Sequence, residues 1–575
     1  MGILMMKKMN KLSLAIAAVT LASTLQAATQ EQIDAAAAAA ETLRGQEQQR
    51  LDLQRNQQEG DKAPSGTDLG GDAAQLTEFP DANGQCFELE QIKVSGSTLL
   101  DEWEMEVFEV PFLGKCITPE LSTAVLSSAT DFYIKRGFIT TRAYLPNQDL
   151  KDGILDLFVA EGQVEATLVE AEKPLNVTPA YQVDVDQGLN IRDLEQAVDQ
   201  FNAVPGNKVT MAVVPGEQPQ TSQVVFENQG KPGVKGRISA DNSGSESTGK
   251  NGVSILLQAG DALGLNEVWS LNLRRSTGKS EKSSHTGSLD LKIPHGYNTY
   301  SAGYSKGGFD TLLTFPTTGT ELSSEGANES KYLSANRVVF RDQDSKHSVA
   351  LKLKQDSVES YIAETRIDVS SRSLTSLLLS SESVLGFGQS VLVVTPEIAV
   401  GLSEVDNLPT GFNTPVENPQ AEYLRYKLTL DWSQPFTLGD QPLRWKSHFV
   451  GQYADMPLYG SQQLIVGGAA SVRGSHFTSI VGDQGYFWQN SLSLKQSHTL
   501  GVSSFDGEYM AGFDFGRVWS ERPDVYEGGM EALVLGATWT AAPWSFGLTH
   551  SVPMNVDGDV DKGDTYTTAT IGLDF

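Results

Sequence analysis

Cysteine is nearly absent: the 575 residues hold two, Cys86 and Cys116, which allow one disulfide at most. Basic residues are also short, 43 Lys and Arg against 72 Asp and Glu for a formal charge of −29. No Lys/Arg cluster stands ready to neutralise a phosphate backbone, so nucleic acid is excluded as a partner. The seven histidines show neither HExxH nor any other close metal-ligand spacing, and no G-x-S-x-G elbow occurs. Nothing in the sequence argues for an enzyme, a metal or a cofactor. Residues 244–251, GSESTGKN, come near a phosphate loop, but they lack the Ser/Thr after Lys250 and join two alternating segments instead of opening a helix; they read as a hairpin turn.

The N-terminus sets a compartment. Lys7, Lys8 and Lys11 precede the apolar run Leu12 to Leu25, and small residues surround Ala27. This reads as a bacterial secretory signal over 1–27, because the run is too short to span a bilayer and has no polar face. The chain is therefore expected to be exported, and in an oxidising periplasm an even cysteine pair fits a disulfide. A loop of that size stabilises by roughly 3 kcal/mol in the chain-entropy model.

Next comes an Ala- and Gln-rich segment, 28–57, that opens on the capping box Thr29/Gln32 and stops at Gly60 and Pro64. It reads as a helix. Ile33, Leu43, Leu51 and Leu53 form no wide apolar stripe, so it is not a core element. Its length, about 40 Å, matches the height of a membrane barrel, although composition alone favours a solvated helix or weak coiled coil. Residues 58–84 are a Gly/Pro/Asp linker.

Residues 85–229 repeat one β-α-β-β plan twice. In the first copy Thr118 and Pro119 open a helix whose face carries Leu121, Val125 and Phe132 before Gly137 ends it, and "FITTRAYLP" and "DGILDLFVAEG" follow as strands. The second copy has a helix after Asn190, then "KVTMAVVPG" and "TSQVVFENQ". From about 230 to the end, segments of roughly ten residues alternate with period two between Gly/Ser/Asp turns. In the last of them Ala569, Ile571, Leu573 and Phe575 share one face while Thr568, Thr570, Gly572 and Asp574 share the other. Segmentation gives sixteen such stretches, an even number that suits a closed outer-membrane barrel with apolar residues outward.

The longest C-terminal interruption, about 455–484, is Gly-rich and carries one cation, Arg473, within GGAASVRGSHF. Downstream, YMAGFDFGRVW turns Tyr509, Ala511, Phe513 and Phe515 toward lipid and Met510, Gly512, Asp514 and Gly516 inward. Spacing alone describes Asp514 as a solvated lumen aspartate.

The segments "CFELEQIKVSG", "GKCIT", "RGFITTRAYLPNQDLKDGILDLFVAEGQVE" and "LNIRDLEQAVDQFNAVPGNKVTMAVVPGEQPQTS" resemble the two polypeptide-transport-associated (POTRA) domains of two-partner secretion transporters, the TpsB family of haemolysin and haemagglutinin exporters. The resemblance covers nearly all of the mature chain. It implies an α+β periplasmic part followed by an all-β part: a plug helix over 28–57, a linker over 58–84, POTRA domains over 85–162 and 163–229, and a 16-stranded barrel over 230–575 with an inward loop. The family's loop motif falls on Val472, Arg473 and Gly474, and its wall motif on Phe513, Asp514 and Gly516, so Asp514 becomes the partner of Arg473. Ser475 stands where the family carries an aromatic, with Phe477 two residues on. A Cys86–Cys116 disulfide in the first POTRA domain is implied too.

The implied function is export of an unfolded partner, a large secreted β-helical protein, from periplasm to cell surface by a monomer set in outer-membrane lipid. No cofactor is expected, since no nucleotide site is seen, and folding of the partner outside would supply the driving force. Recognition is expected by β-augmentation, an extended segment of the partner adding to a strand edge. Val209, Met211 and Val213 are the candidate docking face, and a proline at Lys208, Thr210 or Ala212 would remove a backbone donor wherever that N–H faces the edge. The alternatives are a barrel-assembly insertase of the same superfamily, disfavoured by only two POTRA units, and a passive porin or solute channel, disfavoured by having any.

Overall fold

The computed structural model describes residues 66–67, 87–99, 108–172, 175–183, 187–245, 247–278, 282–314, 321–402, 419–474, 479–501, 503–520, 527–557 and 564–575. The expected signal segment, the 28–57 helix, nearly all of the linker, Cys86, Ser475 and Phe477 lie outside the described residues.

The first module is built from β1 (Gln91–Ser95), α1 (Pro119–Lys135), β2 (Arg142–Tyr144) and β3 (Ile154–Ala160), with sheet order β1-β3-β2. The Thr118 hydroxyl accepts from Leu121 N–H at 3.1 Å and caps α1. Gly137, at φ +96°, follows the C-cap in a conformation that a Cβ would strain. Leu121, Val125, Ala129 and Tyr133 recur every fourth residue and pack with Leu155, Leu157 and Val159. The stripe thus ends on Tyr133. Phe132, the residue the sequence suggests, is only partly buried and lies under the Arg136 guanidinium at 3.5 Å. The strand expected from Phe138 begins at Arg142, because Phe138 to Thr141 turn back on the helix end, Phe138 N–H bonding the Tyr133 carbonyl at 3.0 Å.

The second module copies that connectivity with β4 (Gln163–Ala171), α2 (Ile191–Ala203), β5 (Val209–Pro215) and β6 (Thr221–Asn228) in the order β4-β6-β5. In both modules the first and last strands pair in parallel across the crossover helix. Leu194, Ala197 and Phe201 of α2 bury against Val224 and Phe226, with Phe201 edge-on to Phe226 at 5.2 Å between centroids. Asn190 caps α2 by accepting from Arg192 N–H at 2.9 Å and donates to the Arg136 carbonyl at 3.1 Å, tying the two modules together.

Six residues after β6 ends, Val234–Asp241 starts a closed antiparallel barrel of sixteen long strands that finishes with Tyr566–Asp574; the two-residue strand Thr365–Arg366 is an extra pairing on it. The first and last strands pair from Asp241↔Thr570 to Arg237↔Asp574, so no edge is left in the apolar zone. Along Ser345–Ile362, Val349, Leu351 and Leu353 are exposed outward while Lys352 and Lys354 alternate with them. At the module side the turns are short, as between Ser283–His295 and Asn298–Thr314, and the opposite rim carries the longer connections. In Glu321–Arg341 the register slips between Val338 and Phe340, a β-bulge next to the module side.

Candidate functional site: a loop pinned inside the barrel

Strands Gln441–Ala454 and Gln484–Leu500 are neighbours in the barrel, and the chain between them folds back on itself instead of leaving into solvent. Within it Leu464–Val466 and Ile480–Gly482 pair as a small hairpin. Val466, Val472 and Ile480 bury against Val450, Phe487, Val518, Met530 and Ala532. An apolar patch on the inner wall, which water would otherwise cover, is what this loop fills. Its root is held by two residues that the sequence reading missed. Asp483, fully buried, accepts from Leu458 N–H at 2.8 Å, Gln463 Nε2 at 2.9 Å and Ser520 Oγ at 2.5 Å. The Gln462 side-chain oxygen accepts from Tyr423 Oη at 3.0 Å and Arg425 Nη1 at 3.1 Å. An acid and an amide in a Gly-rich loop look solvated in sequence; only the fold-back makes them anchors.

At the tip, Val472 is buried and Arg473 faces the wall strand Ser503–Trp519. The Arg473 guanidinium grips Asp514 bidentately, Nε to Oδ2 and Nη2 to Oδ1, each at 2.7 Å. Its backbone N–H adds a third bond to Oδ2 at 3.0 Å. Nη2 also donates to Ser491 Oγ at 3.0 Å. Asp514 is 0% exposed and the Arg473 side chain 19%. Charge-assisted bonds of this length in a largely dry site are the strong kind. The alternation places Phe513 outward, 40% exposed, and Asp514 and Gly516 inward.

The glycines provide clearance. A Cβ on Gly474 would lie 1.9 Å from the Ala532 Cβ; one on Gly516 would lie 2.8 Å from Val466 Cγ1, and one on Gly512 2.9 Å from Arg473 Nη2. The structure thus brings Val472, Arg473, Gly474, Asp514 and Gly516 into one contact, and leaves Phe513 on the outside face.

Comparison with known proteins decides the family. Residues 220–540 match the haemolysin secretion/activation proteins ShlB/FhaC/HecB, residues 87–162 an ShlB-type POTRA domain and residues 163–215 a POTRA domain. The chain belongs to the ShlB/FhaC/HecB family. Outer membrane transporter CdiB of Dickeya dadantii is 28% identical across 82% of this chain and 84% of its own. Hemolysin transporter protein ShlB of Serratia marcescens is 25% identical, with 76% of each chain covered. The solved structure of CdiB from Escherichia coli superposes with a TM-score of 0.82 at 26% identity, covering 92% of this chain and 98% of that one. The barrel is therefore an outer-membrane barrel and its POTRA modules are periplasmic, which makes the short-turn rim the periplasmic one.

At that rim α2 is clamped to the barrel. Arg341, its side chain 2% exposed, reaches Glu195 at 3.2 Å and Asp199 at 2.6 Å, and Lys346 reaches Asp199 at 3.0 Å. Tyr297 Oη donates to Asp193 Oδ1 at 2.6 Å, and Gln200 donates to the Gly296 carbonyl. Burial pushes the Asp193 carboxyl above its ordinary range, and the bond from Tyr297 offsets part of that. The linker passes here as well: Thr67 N–H donates to Glu195 Oε1 at 2.5 Å and its carbonyl accepts from Arg192 Nη1 at 3.4 Å.

The docking candidates sit on β5, an edge strand among the described residues. Val209 is buried, while Met211 and Val213 are partly buried at the rim of the α2 core. The proline positions need correction. Gln229 N–H bonds the Lys208 carbonyl at 3.1 Å and Gly216 N–H the Thr221 carbonyl at 3.0 Å, so 208, 210, 212, 214 and 216 point their main chain at β6. The edge belongs to 209, 211, 213 and 215. Period-two alternation in sequence fixes which side chains share a face, but not which way the peptide groups point. Cys116 is disulfide-bonded; its expected partner Cys86 is outside the described residues.

Proposed function

We propose that the chain recognises an unfolded exoprotein in the periplasm and passes it through its barrel to the surface, without catalysing a reaction. The observation that carries this is the open edge of β5, held by a buried ionic clamp at the periplasmic rim of a barrel whose lumen contains a pinned loop. An extended segment of the partner adds to β5 by main-chain hydrogen bonds, its alternate side chains resting on Met211, Val213 and α2. The partner is read as a large β-helical protein whose folding outside draws the chain forward. The exporter works as a monomer in outer-membrane lipid, with 28–57 as a plug in the resting lumen, a Cys86–Cys116 disulfide in the first POTRA domain and the 1–27 signal removed. Met211→Pro and Val213→Pro remove edge donors without breaking the β6 ladder. Each should cut export of the co-produced exoprotein while outer-membrane level and barrel heat-modifiability stay normal. Export at the wild-type rate by both variants would place recognition elsewhere.

A further inference from the structure

The edge of β5 is shorter than the strand. The Asn202 side chain, reaching over from the last turn of α2, accepts from Val209 N–H through Oδ1 at 2.6 Å and donates to the Val209 carbonyl through Nδ2 at 2.9 Å. These are the two bonds that a neighbouring strand would make to Val209, supplied by one primary amide. Asn202 is exposed and packs no core, so its amide acts as a false rung on an otherwise open edge. At the far end, the next edge-facing positions after Val213 reach Pro215, which has no N–H to offer. Between these stops lie two complete rungs, the N–H and C=O groups of Met211 and Val213.

Resting on the docking reading above, we infer that Asn202 and Pro215 are specificity-determining stops that reduce the β5 edge to a two-rung ledge. The ledge takes an extended polypeptide segment in one register and over a length of about three residues. A long open edge would hold an exported chain too firmly and would also invite edge-to-edge pairing between copies. Two rungs give a contact that forms in register and is readily surrendered as the chain advances. Val209, the stopped end, lies opposite Asn228, the last residue of β6, from which the chain runs directly into the first barrel strand. The docked segment is therefore released from strand pairing at the end of the ledge that adjoins the barrel.

The test is residue-resolved hydrogen exchange on the full chain in lipid nanodiscs, with a synthetic peptide of four Thr-Val repeats as the probe. Without peptide, wild type should show slow exchange at Val209 and fast exchange at Met211 and Val213. Saturating peptide should slow Met211 and Val213 at least tenfold and leave Val209 unchanged. In Asn202→Ala the Val209 amide should exchange fast when free and become protected with peptide, extending the footprint by one rung. Pro215→Thr should extend it by one rung at the other end, so the inference stays open to test should Asn202→Ala misfold. Val209 exchanging as fast as Met211 in the free wild type, or footprints unchanged in both variants, would overturn the ledge while leaving edge docking intact. A peptide that slows none of these amides in any variant would refute edge docking and the ledge with it.

Discussion

Arg473→Ala is the sharpest perturbation the structure offers. It deletes both 2.7 Å bonds to Asp514 and keeps only the backbone N–H bond at 3.0 Å. Asp514 is 0% exposed, so its carboxylate is left without a counter-charge where water cannot replace one. Breaking a buried pair in this way costs about 3–5 kcal/mol. The converse variant, Asp514→Ala, strands an arginine that is 19% exposed and retains Ser491, so its cost belongs at or below the lower end of that range. Even ~3 kcal/mol shifts a pinned-to-released equilibrium by roughly two orders of magnitude. The buried contacts of Val466 and Ile480 and the Asp483 bonds hold the loop root, so the tip should be freed without preventing barrel insertion. A spin label at Ala470 should become mobile, more so in Arg473→Ala than in Asp514→Ala, and exoprotein in the medium should fall sharply in both. The double variant should be no worse than the more damaging single one, because the two residues act as a unit, and Arg473→Lys should recover only part, keeping charge but losing the fork. Wild-type export by Arg473→Ala at normal outer-membrane abundance would refute the reasoning.

The close approach of Gly474 to Ala532 predicts that Gly474→Ala overpacks the tip by about 1–3 kcal/mol and lowers export, and that adding Ala532→Gly restores it; secretion immunoblots decide. For Asp193, burial raises the pKa in the docked state, so the protonated form is the stabilised one: the contribution is present below the ordinary carboxylate pKa and lost as pH rises through the raised value. Asp193→Asn keeps an acceptor for Tyr297 and should flatten the pH dependence of protease cleavage at residues 229–233, which stays steep in wild type. Deleting 28–57 should raise single-channel conductance in planar bilayers; unchanged conductance would remove the plug. Non-reduced peptide mapping should recover Cys86 linked to Cys116, and a free Cys86 thiol would exclude that link.

Alternation made the barrel legible, because a wall with lipid on one side and lumen on the other imposes period two on every strand, as Leu351, Lys352, Leu353 and Lys354 do. The helix caps were legible for a local reason, since Thr118 and Asn190 bond within three residues of themselves. What sequence spacing left open was contact between distant segments. Arg473 and Asp514 were joined by resemblance, not by spacing, and Asp483, Gln462 and Arg341 were missed because their partners lie twenty or more residues away in the sequence. Tyr133 displaced Phe132 because the buried face of α1 is narrow enough to take a strict four-residue recurrence.

The bulge between Val338 and Phe340 carries a consequence for how the recognition domains are coupled to the pore. Before it, even-numbered residues of Glu321–Arg341 face the lumen, as Tyr332 does in bonding Asp290. After it the parity is inverted and Arg341 sits opposite Lys346 on the inner side, where α2 waits. Excising Val339 would leave Phe340 opposite His347 and Arg341 opposite Lys346, still inward; keeping Val339 but pairing it with His347 in unbroken register would instead move Arg341 opposite Ser345 and swing the guanidinium out toward lipid, away from Glu195 and Asp199. The mechanical joint between POTRA and barrel is thus a matter of register as well as of residue type: the arginine grips only where the strand sets its extra residue aside, and the same letters paired without the bulge would point it the wrong way.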